Sequence, residues 1–111
     1  MAEQHDATLL VQLAQWGASM GLEDALQTVW ASDFDPEAAD HGDAMVRRLL
    51  TFGETVGTLT KNGLLDTALV LDWLWVSGMW ARVSPAVQKV RAETGVDALY
   101  ENFEALAQQQ S

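Results

Sequence analysis

Between Asp66 and Val83 the chain carries only four polar residues, Thr67, Asp72, Ser77 and Arg82. The last three follow one another at intervals of five, so on a helix they point in different directions instead of sharing a wet face. A helix that is apolar nearly all round is buried on most sides. This stretch also holds Trp73, Trp75 and Trp80, three of the five tryptophans of the chain. It predicts one continuous helix, capped by Asp66, at the centre of the domain or in an interface between copies. Trp73, Ser77 and Trp80 fall on one side of that helix, Trp75 and Met79 on another.

The rest of the chain supplies helices to surround it. No segment alternates with period two, and both prolines stand at plausible helix starts. Leu9, Leu10, Leu13 and Trp16 make one face of a first helix, with Asp6 as its cap and Gly17 and Gly21 loosening its end. A second runs from Leu22 to Ala31, with Ala25, Leu26, Val29 and Trp30 inward. Ser32 to Asp43 is an acidic loop with a helical turn at Asp35-Pro36. From Asp43 to Lys61, Met45, Leu49, Phe52, Val56 and Leu59 form one apolar stripe. Val46, Leu50, Gly53 and Gly57 form a second beside it. Two interior glycines cost about 1 kcal/mol each in helix propensity, which points to close approach by a neighbouring helix with large side chains. Asn62-Gly63 is a left-handed stop. Ser84-Pro85 predicts a further helix to Thr94, with Val87 and Val90 inward and Gly95 ending it. Asp97 opens the last, with Leu99, Phe103, Leu106 and Ala107 inward, and Gln108 to Ser111 reads as a frayed tail. The expected fold is all-α, a compact bundle of five to six helices around the Trp-rich one, with residues 1–111 forming a single domain and no solenoid repeat.

Charge narrows the partners. The formal net charge is -10, and nine acids precede Arg47 without one Lys or Arg. Phosphate backbones are repelled by such a surface, so direct nucleic-acid binding is not expected. Absence of cysteine excludes disulfides and thiolate metal sites. The amino terminus lacks the basic start and apolar run of a secretory signal. The apolar stretch Ala68 to Val76 is too short to span a bilayer. The expectation is a cytoplasmic protein with no membrane segment.

From Phe52 onward, the strings Phe52-Gly53-Glu54-Thr55-Val56-Gly57-Thr58-Leu59, Lys61-Asn62-Gly63-Leu64-Leu65-Asp66 and Tyr100-Glu101-Asn102-Phe103-Glu104, with Trp80 and Arg91, resemble an uncharacterised bacterial family of small helical proteins, a domain of unknown function. The resemblance covers about 60 carboxy-terminal residues well and the first 45 or so poorly. It implies an all-helical fold and lends no activity, cofactor or site residue.

Catalytic constellations are hard to assemble from this chain. Ser19, Ser32, Ser77 and Ser84 lie in no nucleophile motif, and the two histidines are His5, near the terminus, and His41, in the acidic loop. A calcium loop starting at Asp33 would need Gly where Ala38 stands and a bidentate Glu where Ala44 stands, so the EF-hand pattern fails. Asp40, His41 and Asp43 read more simply as acids at a helix start than as a cation site. Neither metal nor cofactor is expected. Glu54 and Asp72 lie in apolar surroundings and need partners, for which Arg47, Arg48, Arg82 and Arg91 are available.

The function expected from these features is a non-catalytic interaction or assembly domain that self-associates as a homodimer. Trp73, Trp75, Met79, Trp80, Gly53 and Gly57 are its candidate contact residues, and Glu54, Asp72, Arg47, Arg82 and Arg91 its buried polar candidates. Two alternatives are a small-molecule binder with a Trp-lined pocket and an acidic, DNA-mimicking protein that occupies a basic partner.

Overall fold

A computed structural model describes residues 2–110. Among them it forms α1 (Gln4–Met20), α2 (Leu22–Trp30), α3 (Ala44–Lys61), α4 (Thr67–Trp73), α5 (Val76–Thr94) and α6 (Glu101–Gln108), with no strand.

The organising helix is α3, not the Trp-rich stretch. It touches α2, α5 and α6, and both of its expected stripes are used. Val46, Leu49, Leu50, Phe52, Gly53, Val56 and Gly57 are all buried. Phe52 is completely enclosed, stacked by Trp16 of α1 at 5.5 Å and met edge-on by Trp73 of α4 at 6.1 Å. The glycine pair has the role its spacing suggests. A Cβ on Gly53 would lie 2.4 Å from the Phe103 ring, and one on Gly57 would lie 2.4 Å from the Asn102 backbone oxygen. Only hydrogen at those two positions lets α6 lie directly on α3.

The Trp-rich helix is corrected by the structure. It is split between Leu74, which is extended, and Val76, where α5 begins. Neither Gly nor Pro marks the break. It is stabilised from the far end of the chain, where the Gln110 amide donates to the Leu71 and Leu74 carbonyls (3.0 and 2.9 Å) and accepts from the Ser77 N–H at 2.7 Å. Gln110 thus satisfies groups orphaned at both helix ends, so the expected frayed tail is ordered as far as this residue; Ser111 lies outside the described residues.

Four smaller expectations are also corrected. Ser84-Pro85 starts no helix, because Val76, Met79, Val83, Ala86, Val87 and Val90 form one continuous buried stripe. Burying that stripe outweighs the local stop signal, and Ala81, whose carbonyl the missing proline N–H would have met, lies on an exposed side. The last helix begins at Glu101, four residues after Asp97, behind Tyr100 in the left-handed conformation (φ 59°). Gly17 lies inside α1, where its bare backbone faces Leu22 and Phe52, and Glu3 rather than Asp6 occupies the cap position.

Replacing Gly57 by Ala drives a methyl into backbone, which cannot rotate away. Overpacking of this kind costs about 1–3 kcal/mol, so Gly57→Ala lowers the melting temperature by on the order of 10 °C. A calorimetric scan showing no change would mean that α6 does not lie on that surface.

Candidate functional site

Three of the five tryptophans, Trp16, Trp73 and Trp80, pack against the core. Trp30 and Trp75 do not. Their exposures are 42% and 64%, the largest among the tryptophans, so Trp30 is corrected from inward to outward. The two rings stack with centroids 6.0 Å apart and planes inclined by 28°. They come from the end of α2 and from the break before α5, elements distant in sequence. Gly78 holds the arrangement from below, since a Cβ there would lie 2.4 Å from the Trp75 ring. Beside the pair lies an open groove of about 520 Å³, walled also by Ser32, Phe34, Ala81 and Arg82.

Arg82 builds the floor. Its Nε donates to the Val29 carbonyl at 2.6 Å, and its Nη2 to the carbonyls of Ala31 and Phe34 at 3.4 and 3.3 Å. Its guanidinium also lies 5.2 Å from the centre of the Phe34 ring. The cation therefore closes the carbonyl end of α2, where a positive charge is favoured. Two helical turns further on, Lys89 donates to the Glu37 and Ala39 carbonyls. Together they strap the acidic loop to α5 by its backbone and leave its carboxylates at the surface. Asp33, Asp35, Glu37, Asp40 and Asp43 are all exposed.

The remaining candidates are dispersed. Met79, Gly53 and Gly57 are interior. Trp80 meets the Phe103 ring at 5.1 Å and lies under Arg91, and neither it nor Trp73 lines the groove beside Trp75. Glu54 is half-buried, but its partner is not an arginine: Oε1 accepts from the Asn102 and Phe103 N–H groups (3.1 and 2.9 Å) and so caps α6 from α3. Arg91 pairs not with Glu54 or Asp72 but with Glu104, at 3.0 Å, and also donates twice to the Leu99 carbonyl. Asp72 and Arg47 are corrected from buried to exposed; the helix break turns Asp72 outward, and Arg47 follows the free side of α3.

The chain belongs to the DUF4760 family. That family is a domain of unknown function, and its profile matches residues 2–110, beyond the carboxy-terminal portion where the sequence motifs lie. No curated protein and no solved structure matches the chain.

Among the described residues, two carboxyl groups carry shifted acidity. The Gly42 N–H is the main influence holding the Asp40 carboxyl below its ordinary value, against the effect of burial and with help from His41. Asp40 Oδ1 lies 3.2 Å from His41 Nδ1, while Asp43 accepts from the Asp40 N–H, so these side chains close a turn. Among the described residues no group of three or more His, Asp or Glu side chains could hold a metal ion.

Asp6, expected only as a helix cap, is the one buried charged residue among those described, at 3% exposure. It accepts from the Glu3 N–H at 2.6 Å and from the Asp66 N–H at 2.8 Å, which ties the start of α1 to the start of α4. The Glu3 N–H is the largest influence holding its carboxyl below the ordinary carboxylate range, burial opposes it, and the Asp66 N–H adds to the lowering. The spacing Glu3…Asp6 matches an acid facing back onto a helix start and could have marked it.

Two predictions follow from these positions. A carboxyl whose folded pKa lies below its unfolded value contributes stability that is complete above the unfolded value, about 3.9, and disappears as pH falls through the folded one. Asp6→Asn therefore melts lower than the parent at neutral pH, and the gap narrows in acid; a gap constant with pH would remove the ionic role. Gly78→Ala, by contrast, drives its methyl first into an exposed ring. It raises acrylamide quenching of tryptophan emission while lowering the melting temperature less than Gly57→Ala does, and an unchanged quenching curve would mean Trp75 does not rest on Gly78.

Proposed function

We propose that this chain is a non-catalytic helical interaction domain that holds another polypeptide against the Trp30–Trp75 groove. The observation that carries the reading is the stacked, exposed tryptophan pair, with Gly78 beneath one ring. Most large apolar side chains of this protein have found core neighbours. The other strongly exposed ones, Val11, Leu64 and Val96, lie on three other segments. Tryptophan is enriched where interfaces concentrate their binding energy. A ring already held in place loses little freedom when a partner covers it.

The groove is open to solvent and walled by tryptophans from two separated elements, a shape suited to a side chain or segment of another protein. The expectation of self-association narrows to this surface, because Gly53, Gly57 and Met79 are already covered within the chain. A second copy and a different protein are the two occupants to be told apart.

Light scattering over a wide concentration range, together with capture of partners on immobilised protein, tests the reading with the parent, Trp30→Ala/Trp75→Ala and the control Val11→Ala. A saturable complex, with a second copy or another protein, is expected for the parent and the control and is lost in the double variant. Complexes that survive the double variant, or none at all with any partner, would overturn it.

A further inference from the structure

We infer that the occupant of the Trp30–Trp75 groove is a cationic, amphipathic segment of another protein, with Lys or Arg beside large apolar side chains. This rests on the interaction reading above and adds the chemistry of the partner. Two observations choose it over a second copy.

The first is area. The exposures of Trp30 and Trp75 together amount to about one whole tryptophan, on the order of 250 Å². A stable dimer needs about 800 Å² from each partner. The apolar patch suits a few anchoring side chains of a short segment better than the face of another folded copy.

The second is charge. Residues 1–46, which include α1, α2 and the loop after it, contain no Lys or Arg. On either side of Trp30, the acids Glu23, Asp24, Asp33, Asp35 and Glu37 are exposed. Asp33 sits between Ser32 and Phe34, both of which wall the groove. Arg82 is the cation in that wall, and its guanidinium is committed to three backbone carbonyls and the Phe34 ring. Lys89, the next cation along α5, is committed to the Glu37 and Ala39 carbonyls. With both basic groups bonded to backbone, the loop that continues from the groove wall presents carboxylates. A second copy would bring its own charge of -10 to that loop, whereas a basic segment is attracted and oriented by it. Apolar side chains of the segment would cover the indoles, and its ammonium or guanidinium groups would meet Asp33, Asp35 and Glu37.

The test uses the full chain and two synthetic amphipathic peptides of equal length with the same leucine face, one bearing Lys and the other Glu on its polar face. Binding is followed by tryptophan emission and by calorimetry at low and high salt. The expected result is saturable binding of the Lys peptide alone, weakened about tenfold between low and high salt. It is weakened similarly in Asp33→Asn/Asp35→Asn/Glu37→Gln and lost in Trp30→Ala/Trp75→Ala, with circular dichroism confirming that each variant is folded. Equal binding of both peptides, abolished by the tryptophan substitutions, would overturn the basic partner and leave the interaction reading standing. So would a Trp-dependent self-complex that excludes the Lys peptide. Lys-peptide binding indifferent to the tryptophans would reduce the effect to general attraction by an acidic chain and overturn the inference. Failure of both peptides to bind overturns the inference as well; if no Trp-dependent complex of any kind forms, the interaction reading falls with it.

Discussion

The contact of α6 on α3 is the constraint around which the remaining structure is arranged. Gly53 and Gly57 remove the two Cβ atoms that would otherwise hold the helices apart, and the Phe103 ring lies in the space they leave. Between them in sequence, Glu54 receives two N–H groups from the first turn of α6. One turn of α3 therefore supplies both the steric opening and the acceptor, and helix position and helix capping are set together. Phe103 in turn supports Trp80, which carries α5, and α5 carries the straps to the loop after α2. A methyl at Gly57 would be felt along that whole series.

Long-range polar contacts to backbone do much of the remaining positioning. Arg82, Lys89, Arg91 and Gln110 all bond main-chain carbonyls far from themselves in sequence or in a neighbouring element. Asp6 does the same for the N–H of Asp66. Buried backbone groups must be paired, and a small bundle of short helices has many ends to satisfy. Half of the six basic residues serve this purpose, so they are withdrawn from the surface on which the acids remain. The same arrangement that stabilises the helix ends leaves the loop after Trp30 with its acids exposed and no Lys or Arg of its own.

The tryptophan groove depends on a break that local sequence does not announce. Trp75 is outside the core because the chain is extended at Leu74, and Leu74 can be extended because Gln110 satisfies the groups exposed there. Had the helix run unbroken from Asp66, Trp75 would have followed its turn and the pairing with Trp30 would have had no basis. The site is thus a product of the amino-terminal helices, a mid-chain junction and the last residues acting together. Trp30 could not be placed outward from the sequence, because its spacing from Ala25, Leu26 and Val29 fits an inward face.

Local chemistry was sufficient where helix period and backbone geometry coincide. The all-helical class, the two stripes of α3, the meaning of Gly53 and Gly57, the stops at Gly63 and Gly95 and the inward residues of α6 all follow from 3.6-residue spacing and from the tolerance of glycine for close approach or positive φ. Those are properties of neighbouring residues and need no knowledge of distant partners. Tertiary structure alone decided that Ser84-Pro85 sits inside a helix, that the Trp-rich stretch breaks, that Glu54 binds backbone instead of a cation, and that Asp6 reaches across to the start of α4. In each case a group remote in sequence (a buried stripe, the Gln110 amide, the first turn of α6) supplies the free energy that overrides or satisfies the local signal, and such a group becomes a neighbour only after the chain has folded.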